Sequence, residues 1–186
     1  MQLFKDNSHL NTWTIEKAKE GDRRAQKAIY DSLSQKMYAV CLRYMGQRDA
    51  AEDVLQDGFV TLFAKLDSFS GDGSFEGWAR KIFGNTALMS LRKNDILKDS
   101  EDVDSARSLS SDAPSAMQEM SYKELMQMIS ELPPGFRTVF NLYVIEGYAH
   151  NEIAEALGIS EGTSRSQLLR ARAMLQAKIL ERQKKK

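Results

Sequence analysis

Residues 149–172, AHNEIAEALGISEGTSRSQLLRAR, leave this chain few ways to fold. Ile153, Ala154 and Leu157 recur at helical spacing and form one apolar face. Gly158 then supplies a turn and Ile159 plugs it. Ser160 is placed to cap a second helix, with Thr163 in its first turn. Leu168, Leu175 and Ile179 continue that helix inward, while Arg165, Gln167, Arg170 and Arg172 fall between those anchors and face partly outward. This is the layout of a helix-turn-helix, whose second helix enters the major groove of DNA. A plain pair of antiparallel helices would share the apolar spacing, so the pattern alone leaves that alternative open.

The remainder is also helical in its spacing, strand-like alternation is absent, and only three prolines interrupt the chain, two of them together at Pro133-Pro134. The fold class expected is all-α: two small helical domains joined by a flexible linker, the second containing the helix-turn-helix. The linker is 94–115, NDILKDSEDVDSARSLSSDAPS, a polar, acidic, serine-rich stretch that cannot bury a core. It separates a domain at 10–93 from one at 116–181.

In the first domain, GDRRAQKAIYDSLSQKMYAVCLRYMG spells an amphipathic helix with Ala25, Ile29, Leu33, Met37, Val40 and Tyr44 inward, ended by Gly46. Asp49 is expected to cap a second helix, whose inward face is Val54, Leu55, Phe59, Leu62, Phe63 and Leu66. After the turn SGDGS, a third helix starts at Phe75, with Phe75, Trp78 and Ile82 as its core residues. Gly84-Asn85 is expected to interrupt it before TALMSLRK resumes. In the second domain, helix 116–131 precedes the proline pair. Helix 134–146 follows, with Pro134 in its first turn and Phe136, Val139, Phe140 and Tyr143 inward, ending at Gly147.

Composition narrows the function classes. No run approaches the ~20 apolar residues of a membrane span, and the N-terminus shows no signal-peptide pattern, so a cytoplasmic protein is expected. The single cysteine, Cys41, excludes an internal disulfide and a cysteine-based zinc site, and its apolar neighbours point to burial. Formal net charge is zero, but the charge is unevenly placed. From Arg165 onward, Arg165, Arg170, Arg172, Lys178, Arg182 and Lys184 to Lys186 face only Glu181, whereas the linker is acidic.

No catalytic set is visible: His9 and His150 have no evident partner, and no phosphate-binding glycine loop occurs, so neither an enzyme nor a cofactor or metal site is expected. Two other constellations stand out. Asp49, Asp53 and Asp57 form an acidic stripe at helical spacing, with Glu52 and Gln56 beside it. It can dock a basic partner or merely favour a helix start, where an anion contributes about 0.3–1 kcal/mol. In FEGWARKIFGNTALMSLRK, aromatics alternate with Arg80, Lys81, Arg92 and Lys93 around Gly84-Asn85-Thr86. A loop there could hold an unstacked base while cations track phosphates; a solvated, kinked helix fits equally well.

The stretches AEDVLQDGFVTLFAKLDSF, FEGWARKIFGNTALMSLRK and LPPGFRTVFNLYVIEGYAHNEIAEALGISEGTSRSQLLRAR, in this order, resemble the extracytoplasmic function sigma factors of the sigma-70 family. The resemblance implies a first domain that binds the polymerase clamp and melts the −10 promoter element. The second would bind the −35 element and the polymerase flap. Carried over by position, Asp53, Gln56, Asp57 and Phe59 lie on the clamp-binding stretch. Trp78, Arg80, Lys81, Asn85 and Thr86 lie on the −10 reader, with Asn85 in its base-capturing loop. Thr163, Arg165, Ser166, Leu169 and Arg170 lie on the −35 helix, with Arg172 a phosphate contact. The implied partners are RNA polymerase core, promoter DNA and an anti-sigma factor, with no small-molecule substrate and no insertion into a membrane. Three residues depart from the pattern: Ser164 stands where Val or Ile is usual, Gln167 where Arg is common, and Gly84 where Ala is frequent. A stand-alone regulator with a ligand-sensing half, or an adaptor without DNA contact, are the alternatives. The first would have no need of the aromatic and basic stretch, and the second leaves Arg165, Arg170 and Arg172 without a role.

Overall fold

The computed structural model describes residues 10–93 and 122–184. The linker 94–115, the start of the helix expected from 116, and His9 lie outside the described residues. Every regular element among them is helical: α1 (Thr12–Lys19), α2 (Arg23–Met45), α3 (Arg48–Ala64), a 3-10 turn (Leu66–Ser68), α4 (Phe75–Lys93), α5 (Tyr122–Ser130), α6 (Pro134–Phe140), a π-helical turn (Asn141–Ile145), α7 (His150–Leu157) and α8 (Glu161–Gln183). The described residues form two compact units, one of residues 10–42 and 48–87, the other of 43–47, 88–93 and 122–184.

In the first unit, Asp22 starts α2 by accepting from the backbone N–H groups of Arg24 and Ala25 at 2.8 and 2.9 Å. Those amides hold its carboxyl below the usual carboxylate range. The α2 stripe is buried as the spacing predicts, from Ala25 and Ile29 through Leu33, Met37 and Val40. Cys41 is fully buried beside it, and desolvation pushes its thiol up to about 12, which leaves it unreactive at neutral pH. Helix α3 begins at Arg48, so Asp49 sits in the first turn rather than capping it. There its carboxylate still complements the helix dipole. Val54, Phe59, Leu62 and Leu66 are buried, while Leu55 and Phe63 are only half-buried.

Helix α4 corrects two expectations. It runs without a break through Gly84-Asn85. Thr86 stays helical by donating its hydroxyl to the carbonyl of Ile82 at 2.9 Å. A single glycine costs a helix only about 1 kcal/mol, and the buried line Phe75, Ala79, Phe83, Ala87 and Leu91 outweighs it. The core line therefore advances in steps of four. Trp78 and Ile82 flank it half-buried, with Trp78 packed against Phe69 and Phe75 at ring separations of 5.3 and 5.5 Å.

In the second unit, α6 buries Phe136, Val139 and Phe140, but Tyr143 is exposed. The helix expected over 134–146 gives way to a π turn at Asn141–Ile145. Leu142 is buried there and Tyr143 is not. Arg137, only 5% exposed, fastens this region. Its Nε donates to the carbonyl of Tyr44 at 2.9 Å and its Nη2 to that of Met45 at 2.9 Å. Its Nη1 donates to the carbonyls of Ser130 and Leu132 at 2.8 and 2.9 Å. Asn141 adds a bond to the carbonyl of Arg43 at 2.8 Å. These carbonyls at the end of α2 are ones the helix cannot satisfy itself. Gly46 leaves room for the guanidinium: it has φ +74°, and a Cβ there would come within 2.4 Å of Arg137 Nη1.

Candidate nucleic-acid and polymerase interface

The helix-turn-helix forms as its residues dictate. Gly158 closes α7 in the left-handed conformation with φ +68°. The Ser160 hydroxyl caps α8 by accepting from the Thr163 N–H at 3.0 Å. At the start of α7, the Glu152 carboxylate accepts from the Ala149 N–H at 2.7 Å. Ile153, Leu168, Ala171 and Leu175 are buried between the helices, with Ala154, Leu157 and Ile179 half-buried around them.

One residue of α8 points the other way from the expectation. Gln167 is 6% exposed, so it belongs to the inward face and not among the outward cations. Ser164 is fully buried. The helix therefore presents Arg165, Leu169 and Arg172 along one ridge, with Ser166 and Arg170 beside it. Leu169 is 69% exposed on this ridge. Arg165 is held along the helix by Glu161 at 2.9 Å, an exposed pair that contributes little to stability but orients the guanidinium. Arg172 lies over the ring of Tyr143, 5.9 Å from its centroid. The Thr163 hydroxyl is engaged with that of Ser160 at 2.9 Å.

On α4, Lys81 and Asn85 are exposed one turn apart, with Arg80, Thr86 and Trp78 half-buried around them. Arg80 pairs with Glu76 at 3.2 Å, and Glu76 also binds Lys36 at 2.6 Å. Both cations hold the Glu76 carboxyl low, Lys36 foremost. Asn85 thus sits on a helical surface and not in a loop.

On α3, Asp49, Glu52, Asp53, Gln56 and Asp57 are all exposed, and among the described residues none of these carboxylates has an ion-pair partner. Val60 continues the stripe at 71% exposure. Phe59 is not part of this surface: it is 5% exposed and packs between Tyr30 at 4.5 Å and Phe83 at 5.0 Å. No group of residues suited to hold a metal ion occurs among the described residues.

His150 was not legible as a partnered residue. Its Nδ1 lies 2.8 Å from the Ser164 hydroxyl, and its ring stacks on Tyr143 at 4.5 Å. The available signal was Ser164 itself: an inward-facing hydroxyl needs a hydrogen-bond partner.

Comparison with known proteins decides the family. The model of sigma-70 region 2 matches residues 29–96, and that of sigma-70 region 4 matches 122–175. The ECF RNA polymerase sigma-E factor of Haemophilus influenzae is 30% identical over 89% of this chain and 93% of its own length. That of Escherichia coli K12 is 28% identical over 89% of this chain and 92% of its own. A solved sigma factor, bound to an anti-sigma factor and from Bartonella quintana, is 24% identical, covers 83% of this chain and 96% of its own, and superposes with a TM-score of 0.48. The chain belongs to the extracytoplasmic function sigma factors of the sigma-70 family. It is a transcription initiation factor that directs core RNA polymerase to specific promoters, and it is not itself an enzyme. Family membership sets aside the ligand-sensing regulator and the adaptor. No described helix of this sigma factor is long and apolar enough to cross a membrane.

Proposed function

We propose that this sigma factor divides promoter recognition and polymerase binding among three of its helices. The outward ridge of α8, with Arg165, Ser166, Leu169, Arg170 and Arg172, reads the −35 element in the major groove. Arginine forks suit guanine edges and phosphates, and an exposed leucine suits a thymine methyl. Thr163 sits at the start of this helix, where a backbone N–H end favours a phosphate. The outward surface of α4, with Lys81 and Asn85 supported by Trp78, Arg80 and Thr86, meets the −10 strand. Asn85 can both donate to and accept from a base edge. The Asp53, Gln56 and Asp57 face of α3 docks on a basic surface of core polymerase, with Val60 adding apolar contact and Phe59 acting only from beneath, as support for Tyr30. The observation that carries this reading is the α8 ridge, two arginines flanking a leucine that nothing in the unit covers.

This division of labour explains a chain of zero net charge that works on DNA: the acidic helix faces protein while the basic helix faces phosphates. The work takes place where the polymerase is, in the cytoplasm, and an anti-sigma factor that covers these faces is the regulator this reading implies. For R165A and R170A, holoenzyme affinity for promoter duplex should fall. An arginine that reads guanine should lose about 1–3 kcal/mol of discrimination at one base pair. One that contacts only phosphate should weaken every sequence alike and flatten the salt dependence by about one unit of slope. Filter binding of holoenzyme across a salt series checks this; wild-type affinity and slope in both variants would contradict the assignment.

A further inference from the structure

A line of stacked and hydrogen-bonded side chains crosses the helix-turn-helix from its buried interior to its outward ridge. It starts at Ser164, fully buried on the inward side of α8. The Ser164 hydroxyl meets Nδ1 of His150, the first residue of α7, at 2.8 Å. The imidazole lies nearly flat on the Tyr143 ring, with centroids 4.5 Å apart and planes inclined by 21°. The Arg172 guanidinium caps that ring at 5.9 Å. Each contact links a different pair of elements: α8 to α7, α7 to the π turn, and the π turn back to α8. Tyr143 lies in the π turn and is exposed there.

We propose that His150 is a positioning residue for promoter recognition, setting α8 through Ser164 and the Arg172 guanidinium through Tyr143. The proposal rests on the reading of α8 as the −35 helix. A valine or isoleucine at 164 would set the two helices by volume alone. Serine sets them by a directional bond, whose partner must sit in one place. The same geometry couples recognition to protonation. His150 faces Arg165, Arg172 and Glu161 from α8 and the uncharged Tyr143 ring from the π turn, while Glu152 of its own helix is committed to the Ala149 N–H. Burial, then Arg165, hold the imidazole below its usual range, with Glu161 opposing and Arg172 adding to the effect. The N-terminal end of α7 acts in the same direction. Promoter phosphates on Arg165 and Arg172 remove the repulsion and raise the imidazole again. The bound state then holds more protons than the free state, so affinity rises as pH falls through the histidine range.

The test measures holoenzyme affinity for a promoter duplex selected from a random library by the wild-type holoenzyme. H150A should weaken binding about fivefold and S164A by less, since S164A leaves the Tyr143 stack in place, and the double variant should be no weaker than H150A, because both changes remove the same hydrogen bond. H150Q, whose amide can still meet the Ser164 hydroxyl, should bind within about twofold of wild type near pH 7.5. The ratio of wild-type to H150Q affinity should grow about threefold between roughly pH 7.5 and 5.5, and H9Q should leave the wild-type profile in place. Additive losses, or a pH profile unchanged in H150Q, would overturn the proposal, since a purely structural role leaves the pH profile where it is. Normal binding by H150A and S164A while R165A binds poorly would overturn it alone. Normal binding by R165A as well would remove the reading of α8 and this proposal with it.

Discussion

Replacing Arg137 with leucine should cost the second unit on the order of 4 kcal/mol. The guanidinium serves the carbonyls of Tyr44, Met45, Ser130 and Leu132 from one buried position. Removing it strands those acceptors, at about 1–3 kcal/mol for each one that water cannot reach. The loss is partly offset because the charge itself is expensive to bury. Desolvation pulls the guanidinium down to about 10, so it remains charged at neutral pH without a carboxylate beside it among the described residues. Lysine is a poor substitute, since a point donor cannot reproduce a planar fork aimed at four oxygens. Arg137→Lys should recover less than half of the loss. The surroundings leave little slack: Arg43 Nε, the Thr138 hydroxyl and Asn141 Oδ1 are already buried without a protein partner. Urea unfolding followed by circular dichroism reads the effect. A midpoint shift worth less than about 1 kcal/mol in Arg137→Leu would mean that water takes over the carbonyls.

Phe83→Ala should cost the first unit about 3–5 kcal/mol, the range for emptying a buried phenylalanine site. Phe83 is fully buried, meets Phe59 edge-on at 5.0 Å, and lies directly over Gly58. A Cβ built on Gly58 would sit 2.4 Å from the Phe83 ring. Gly58→Ala alone should therefore destabilise by about 1–3 kcal/mol through overpacking. The two changes share one space, so the double variant should lose clearly less than the sum of the single losses. Thermal or urea unfolding of the four proteins completes the cycle, and strict additivity would show that α3 and α4 separate rather than repack.

Most of the fold was legible because it rests on helical periodicity, which sequence displays directly. The α2 stripe, the turn at Gly158 and the Ser160 cap all follow from residue types whose conformational preferences dominate locally. The failures came where packing overrode a local preference. Gly84-Asn85 reads as a break, yet five buried side chains along α4 carry the helix through it. Tyr143 reads as core, yet it is exposed in a π turn, which leaves no mark in periodicity. At the interface, Arg165 and Arg172 were legible as outward positions and Phe59 as an inward one, but Gln167 was not legible as inward. Its side chain has chemistry suited to either face, and only the packing of neighbouring helices decides.

Transcription by core polymerase reconstituted with this sigma factor, on a library randomised upstream of the start site, tests the division among helices most directly. The wild-type protein should select templates sharing two separated elements. R165A with R170A should relax selection in the upstream element alone, and Asn85→Ala in the downstream element alone. Selection at the upstream element unchanged by the α8 variant, or lost from both elements together in either variant, would contradict the account.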